Sequence, residues 1–405
     1  MATKESMNID ERFKYLRMMK ERYRLADHQT KSRLLDEMEA MTSLHRKHLI
    51  ARMNGSGLYR QKRWRERSRY YGPEVEEAVA IIADTLDWIC AERLKPGLPK
   101  MAKQLAKFGE MQTSAHLMVQ LDEISIPTVR RLLKRIGRPP DCLPRARSGR
   151  RADSAAQALV PVSVIPWQEP EPGHFEADLV HHSRSGFEGP FVCTIQFIDV
   201  LTGWSERFAI LGHEFDVMWQ AMHAFDQHCP IPVGEVHTDN GSEFMNMSLI
   251  SYFGEAMGDV DLTRGRPGYK NHNRFVEQKN STLVRAYLQN LYLHTPQHVL
   301  MLNTLYEDMW LYYNFFQPVL RQTARWSRVD ANGVCHILRE QDEAKTPLER
   351  LLLAKPPIPC QLAEYLCSLY DQTNPRELKR RIHERLAHIY RVAERDERRK
   401  APALG

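Results

Sequence analysis

The sequence predicts a multidomain chain: an all-α N-terminal region, a central α/β domain built on a mixed sheet, and a mostly helical C-terminal region. Three observations lead there. Apolar residues recur at helical spacing over most of 10–136. At Gly173 the texture changes to alternation of apolar and polar positions, HFEADLVHH, followed by further strand-like runs. Beyond 297 the helical period returns and continues to a charge-dense end. The 405 residues are enough for two or three such domains, each with its own core.

The front of the chain reads as two helical modules. Residues 10–26 place Phe13, Leu16, Met19 and Tyr23 on one stripe, and 31–41 form a second helix after the polar break at 27–30. Thr42-Ser43 then signals the cap of a third, basic helix over 44–54, closed by Gly55. Three short helices with a basic last one fit a helix-turn-helix module over 1–57, which would offer His45, Arg46, Lys47 and Arg52 to DNA. A plain helical bundle with a solvated basic face fits the same pattern. Residues 58–72 interleave Arg and Lys with Trp64, Tyr70 and Tyr71, as a phosphate-tracking segment or an amphipathic linker would. A second helical module over 58–138 follows, with helices expected at 74–93, 99–108, 115–123 and 125–136. The last starts at the cap Ser125 with Pro127 in its first turn, and carries Arg130, Arg131, Lys134 and Arg135. Residues 139–170 are rich in Pro, Arg, Ser and Ala and read as a linker.

The domain expected over 171–320 begins with three strands, 174–182, 191–200 and 204–211, the last two joined by a turn at Thr202-Gly203. A helix at 215–228, a strand at 233–238, a helix at 248–257, a strand at 260–263 and a helix at 273–290 complete it. This β-β-β-α-β-α-β-α order matches the ribonuclease-H-like fold, a three-strand meander extended by parallel additions. In that arrangement Asp178 lies on the central strand. Asp239 ends the strand beside it, and Glu277 starts the helix after the fifth strand. Three acids distant in sequence would thus converge at one end of the sheet. Paired divalent ions need carboxylates from separate elements, and hard oxygen donors without nearby Cys favour Mg²⁺ or Mn²⁺ over zinc.

The motif HTDNGSEF (237–244) resembles the T-D-N-G-x-E-F signature of retroviral integrases and related bacterial transposases, and LTRGRPGYKNHNRFVEQKN (262–280) resembles the approach to their catalytic Glu. Sixty residues separate Asp178 from Asp239 and 37 separate Asp239 from Glu277, near the D,D-35-E spacing of that superfamily. The resemblance covers about 170–315 and is nearest to insertion-sequence transposases of the ISNCY group. It implies a DDE transposase in which Asp178, Asp239 and Glu277 are catalytic and hold two Mg²⁺ (or Mn²⁺) ions. The implied reaction is cleavage at the 3′ ends of a mobile element and transfer of the freed hydroxyl to target DNA. The implied partners are transposon-end and target DNA and further copies of the chain, at least a dimer.

Other residues are sorted by position. Glu176 shares the parity of Asp178, and Asp199 ends the second strand, but neither fits the signature; Glu243 supports the motif's loop. Arg264, Arg266 and Lys270 lie in a Gly/Pro-broken loop suited to phosphate contacts, and Lys279 lies about 200° around the helix from Glu277. The aromatic residues of the helix at 297–316 (Tyr306, Trp310, Tyr312, Tyr313, Phe315, Phe316) read as core. The region 321–405 is expected to hold at most a hairpin, near 328–339, and then helices. Two rival readings fit the same residues: a nuclease of the same fold that only hydrolyses, and a DNA-binding protein with an inert core.

Composition narrows the class. The net charge of +6 divides into +12 over 1–150 (31 Lys+Arg against 19 Asp+Glu) and −6 beyond, so the basic half is the expected polyanion-binding part. No run approaches the roughly 20 apolar residues of a membrane span, and MATKESMNIDERF lacks a signal-peptide core. A bacterial cytoplasmic, nucleoid-associated location with no membrane partner is expected. Seven scattered cysteines read as buried free thiols.

Overall fold

A computed structural model describes residues 7–55, 57–59, 70–139, 171–183, 189–212, 214–238, 260–264, 280–288, 291–329 and 335–400. The chain divides into two compact units, Met1–Tyr70 and Tyr71–Gly405. Among the described residues no helix is long and apolar enough to cross a membrane.

The first unit holds α1 (Ile9–Leu25), α2 (His28–Thr42) and α3 (Arg46–Asn54). Asn8 and Glu11 form a reciprocal capping box that starts α1, and Asp27 caps α2. The predicted stripe is the core: Leu16, Met19 and Tyr23 close against Leu34, Leu35, Met38, Leu49, Met53 and Leu58. One expectation is corrected. Ser43 does not cap α3; it takes a left-handed conformation and ends α2, its N–H bonding Glu39 O. The cap of α3 is His45, whose ring accepts from Lys47 N.

The second unit begins with α4 (Pro73–Thr85), α5 (Ala91–Leu94), α6 (Leu98–Lys107), α7 (Ala115–Glu123) and α8 (Ile126–Ile136). The single helix expected over 74–93 is broken. Tyr312 donates to Thr85 O and Gln317 to Leu86 O, so side chains distant in sequence take carbonyls at the end of α4. Asp87 and Trp88, both at φ 55°, turn the chain into α5. Helix α8 starts as predicted, at Ser125, which accepts from Thr128 N.

Strands β1 (His174–His181), β2 (Val192–Asp199), β3 (Ser205–Leu211), β4 (Glu235–Thr238) and β5 (Asp261–Arg264) form one mixed sheet in the order β3-β2-β1-β4-β5. Meander pairs are antiparallel; β1–β4 and β4–β5 are parallel. Two glycines make this geometry possible. Gly173 (φ +115°) has Pro232 O only 2.6 Å from where a Cβ would sit, and Gly203 (φ +77°) in the β2–β3 turn meets Arg321 at 2.9 Å. Helix α9 (Phe215–His228) covers one face: Phe225 stacks on Phe197 at 4.0 Å and meets Phe175 edge-on at 5.0 Å.

The other face packs under π-helical Asn280–Arg285 and helical Ala286–Leu288 (together α10). It also packs under α11 (Pro296–Leu311), which continues as π-helical Tyr312–Phe316. Asn303 and Asn314 pair with the backbone of Ala209 and Ser205, closing the free edge of β3. A hairpin, β6 (Gln322–Val329) and β7 (Cys335–Gln341), leads to α12 (Pro347–Leu352), α13 (Cys360–Gln372) and α14 (Pro375–Lys400). The buried Asp308 of α11 anchors α14 through Arg381 (2.8 Å) and Arg385 (2.6 Å).

The boundaries expected at 138/171 and 320/321 separate segments that share one core. Apolar residues of α4–α8, of the sheet and of α13–α14 belong to a single cluster. The aromatic residues of α11 are core as predicted, with Tyr306, Tyr312, Tyr313, Phe315 and Phe316 buried. The cysteines depart from expectation: Cys193 is buried, but Cys90, Cys360 and Cys367 are exposed thiols.

Candidate carboxylate site and basic surfaces

The alternation of β1 sends Phe175, Ala177 and Leu179 towards α9, and Glu176, Asp178 and Val180 towards the opposite face. Asp178 is half-buried on the central strand, and its Oδ1 accepts from Leu179 N at 2.9 Å. Its partner in register on β2 is the fully buried Gln196, whose own partner on β3 is Arg207. A polar row, Arg207–Gln196–Asp178, therefore crosses three strands beneath α10 and α11.

On the other side, β4 runs parallel with Ala177 beside Thr238. Asp239 is bonded to Thr238, so covalent geometry alone keeps its Cα about 3.8 Å from that of Thr238. Its side chain lies outside the described residues, as do Glu277, Arg266, Lys270 and Lys279. Arg264 ends β5, with its side chain undescribed. The segment Asn280–Arg285, which begins three residues after Glu277, packs against β1. Its π-helical winding replaces the α-helical spacing of Asn280, Ser281 and Val284 expected there; Glu277, the first residue of that expected stripe, lies outside the described residues. Among the described residues no group of three or more His, Cys, Asp and Glu is placed to hold a metal.

Asp199, Glu176 and Glu235 are further acids of the sheet. Asp199 is buried and accepts from Gly173 N, Thr202 N and Thr202 Oγ1, which together fix the start of β1 and the β2–β3 turn. Burial pushes its carboxyl up, opposed by those hydrogen bonds. Glu176 is fully buried beside His237 of β4. His237 faces Thr263 at 2.8 Å, and Thr263 donates to Glu235. At the far end of β1, His182 meets Thr194 Oγ1 at 2.8 Å, which in turn meets Tyr306 Oη at 2.6 Å. Burial, then His181 and Arg285, lowers the His182 ring to about 4, so it is neutral near pH 7.

Sequence reasoning missed two groups. The Arg207–Gln196 pair shows only as polar residues within the strand-like runs WSERFAIL and FVCTIQFIDV, a signal visible in hindsight. Glu206, 1% exposed, accepts from both Trp204 Nε1 (2.7 Å) and Trp310 Nε1 (2.8 Å). Its other oxygen pairs with His228 Nδ1 at 2.8 Å.

The basic helices are only partly available to an external anion. In the first unit Arg46 is tied to Asp36 and Ser32, and Arg52 bonds Gly57 O and lies 5.3 Å from the centre of the Phe13 ring. Lys47 and the capping His45 are exposed. On α8, Arg130 pairs with Glu92 and Arg135 with Glu76, while Arg131 bonds Thr128 Oγ1 and Pro127 O within its own helix. Lys134 is exposed. Exposed ion pairs are worth about 0–1 kcal/mol, so a phosphate can replace Glu92 and Glu76 on Arg130 and Arg135 at small cost.

No protein-family model matches the sequence. Over 301 residues the chain is 35% identical to the uncharacterized protein y4rM of Sinorhizobium fredii (strain NBRC 101917 / NGR234), a similarity covering 74% of this chain and 84% of that protein. The chain belongs to the same family as y4rM.

Proposed function

We propose that the chain is a metal-dependent polynucleotidyl transferase of the DDE transposase type, acting on the ends of a mobile element. The observation that carries this reading is the position of Asp178. It sits on the middle strand of a β3-β2-β1-β4-β5 sheet, and the residue beside it, Ala177, is in register with Thr238, the residue before Asp239 of the T-D-N-G motif. That strand order supports a ribonuclease-H-like core. Asn280–Arg285, which begins three residues after Glu277 in the sequence, packs against β1.

Carboxylate oxygens suit hard divalent ions, and the half-buried Asp178 faces polar Gln196 rather than a thiol, which fits Mg²⁺ or Mn²⁺. Asp178, Asp239 and Glu277 would hold two ions, which when bound supply Lewis-acid activation of the attacking and leaving oxygens. Exposed Lys47 and Lys134, with Arg130, Arg131 and Arg135 released from their internal partners, would bind phosphates, while the helices bearing them read base edges. A reaction joining two element ends calls for at least a dimer.

The test is strand transfer. The purified chain, Mg²⁺, duplexes carrying the repeats that flank its gene, and a supercoiled target plasmid should give joined products, and Asp239→Asn should abolish them. Intact transfer by Asp239→Asn would contradict the metal assignment. Cleavage without joining would identify a hydrolytic nuclease instead.

A further inference from the structure

A cavity of about 260 Å³ opens between the start of α6, the end of α11, the turns on either side of α12 and the end of α13. Its wall is apolar: Leu86, Met101, Phe315 and Phe316 are each no more than 5% exposed, and Tyr370 stacks on Phe316 at 5.0 Å. Leu353, which follows α12 and lines the same cavity, is 66% exposed, and its neighbour Leu352 is 37% exposed. An apolar side chain left in water beside an apolar cavity puts an anchor and a receptor on one surface. The charges among the lining residues are balanced, since Lys100 pairs with Glu349 at 2.7 Å and Lys345 with Glu343 at 3.3 Å. A rim without net charge gives a polyanion such as DNA nothing to neutralise it. A rim of both signs does suit a twofold-related copy of itself, which can set each lysine against a glutamate.

We propose that this surface joins two copies of the chain, with Leu353 of each copy seated in the cavity of the other. In a twofold interface every contact occurs twice, so one leucine and one cavity per copy complete it. Apolar cavities of about 150 Å³ admit a benzene ring, so this one has room for the isobutyl group of a leucine. The inference deepens the function proposed above by giving its dimer a surface, and it rests on that reading for the purpose of the pairing.

The experiment is sedimentation equilibrium of the full chain at micromolar concentration, without DNA or metal. The natural chain should be a dimer. Leu353→Asp should weaken association by about a hundredfold or more, since two buried leucines are lost from each dimer. Gly97 also lines the cavity, a Cβ there would meet nothing within 4 Å, and its φ of −89° suits any residue. Gly97→Leu should therefore fold, occupy the cavity from within its own chain and weaken association to a similar degree. A monomeric natural chain would overturn the inference, and so would unchanged association of either folded variant. Should Leu353→Asp fail to fold, Gly97→Leu makes the test by itself. A dimer weakened by both variants but incapable of strand transfer would overturn the transposase reading and leave this surface standing.

Discussion

Glu206→Gln tests the energetics of the core through one oxygen pair. Two indole N–H groups donate to one oxygen of Glu206 and His228 faces the other, with Glu307 3.7 Å from the far side of that ring. The hydrogen bond to Glu206, then Glu307, raises the His228 ring to about 10 against the opposing effect of burial. A raised folded value means the stabilisation is fully present below the unfolded value near 6.5 and is lost as pH rises through about 10. The gap sets a ceiling of about 5 kcal/mol. The His228 side chain is 34% exposed, so solvent screening reduces this to about 1–2 kcal/mol. Making the indole acceptor neutral costs about 1 kcal/mol for each hydrogen bond. Glu206→Gln should therefore lose about 3–4 kcal/mol at pH 7, and its deficit relative to the natural chain should shrink by about 1–2 kcal/mol at pH 10. Urea unfolding followed by tryptophan fluorescence at the two pH values measures both, and other titrating groups cancel in the difference. A deficit identical at pH 7 and pH 10 would refute the pairing of His228 with Glu206.

Other consequences follow from the packing and the exposed cations. Phe225→Ala removes the ring held between Phe197 and Phe175 and should cost about 3–5 kcal/mol in the same unfolding assay. A loss under about 1 kcal/mol would mean that α9 does not seal that face. Lys47→Ala and Lys134→Ala should each weaken DNA retardation and reduce the salt slope by about one, uniformly across sequences. A slope unchanged in both variants would remove these helices from the DNA-contacting surface.

Most elements were legible because their signals are local. The alternation in HFEADLVHH gives β1 and its faces, Ser125 with Pro127 gives the start of α8, and the apolar stripe of α1 gives the first unit's core. What was not legible depends on distant partners. The break after Thr85 is set by Tyr312 and Gln317, and the cap of α3 falls to His45 once Ser43 ends α2. Expecting Arg46, Arg52, Arg130 and Arg135 to be freely offered overlooked Asp36, Gly57, Glu92 and Glu76, whose proximity only the tertiary fold supplies. The shared core that joins α4–α8 to the sheet and to α14 was hidden for the same reason, since composition changes at 138 and 171 suggest boundaries where packing makes none. For the carboxylates, sequence supplied the acids and their spacing. The register places Ala177 beside Thr238, while Asp239 and Glu277 lie outside the described residues.

The most direct measurement is anomalous scattering from crystals of the full chain grown with Mn²⁺. The account predicts Mn²⁺ peaks within about 2.0–2.3 Å of an Asp178 carboxylate oxygen, shared with Asp239 and lost in Asp178→Asn. A Mn²⁺-saturated crystal with no peak at Asp178, or with peaks only at other carboxylates, would contradict it.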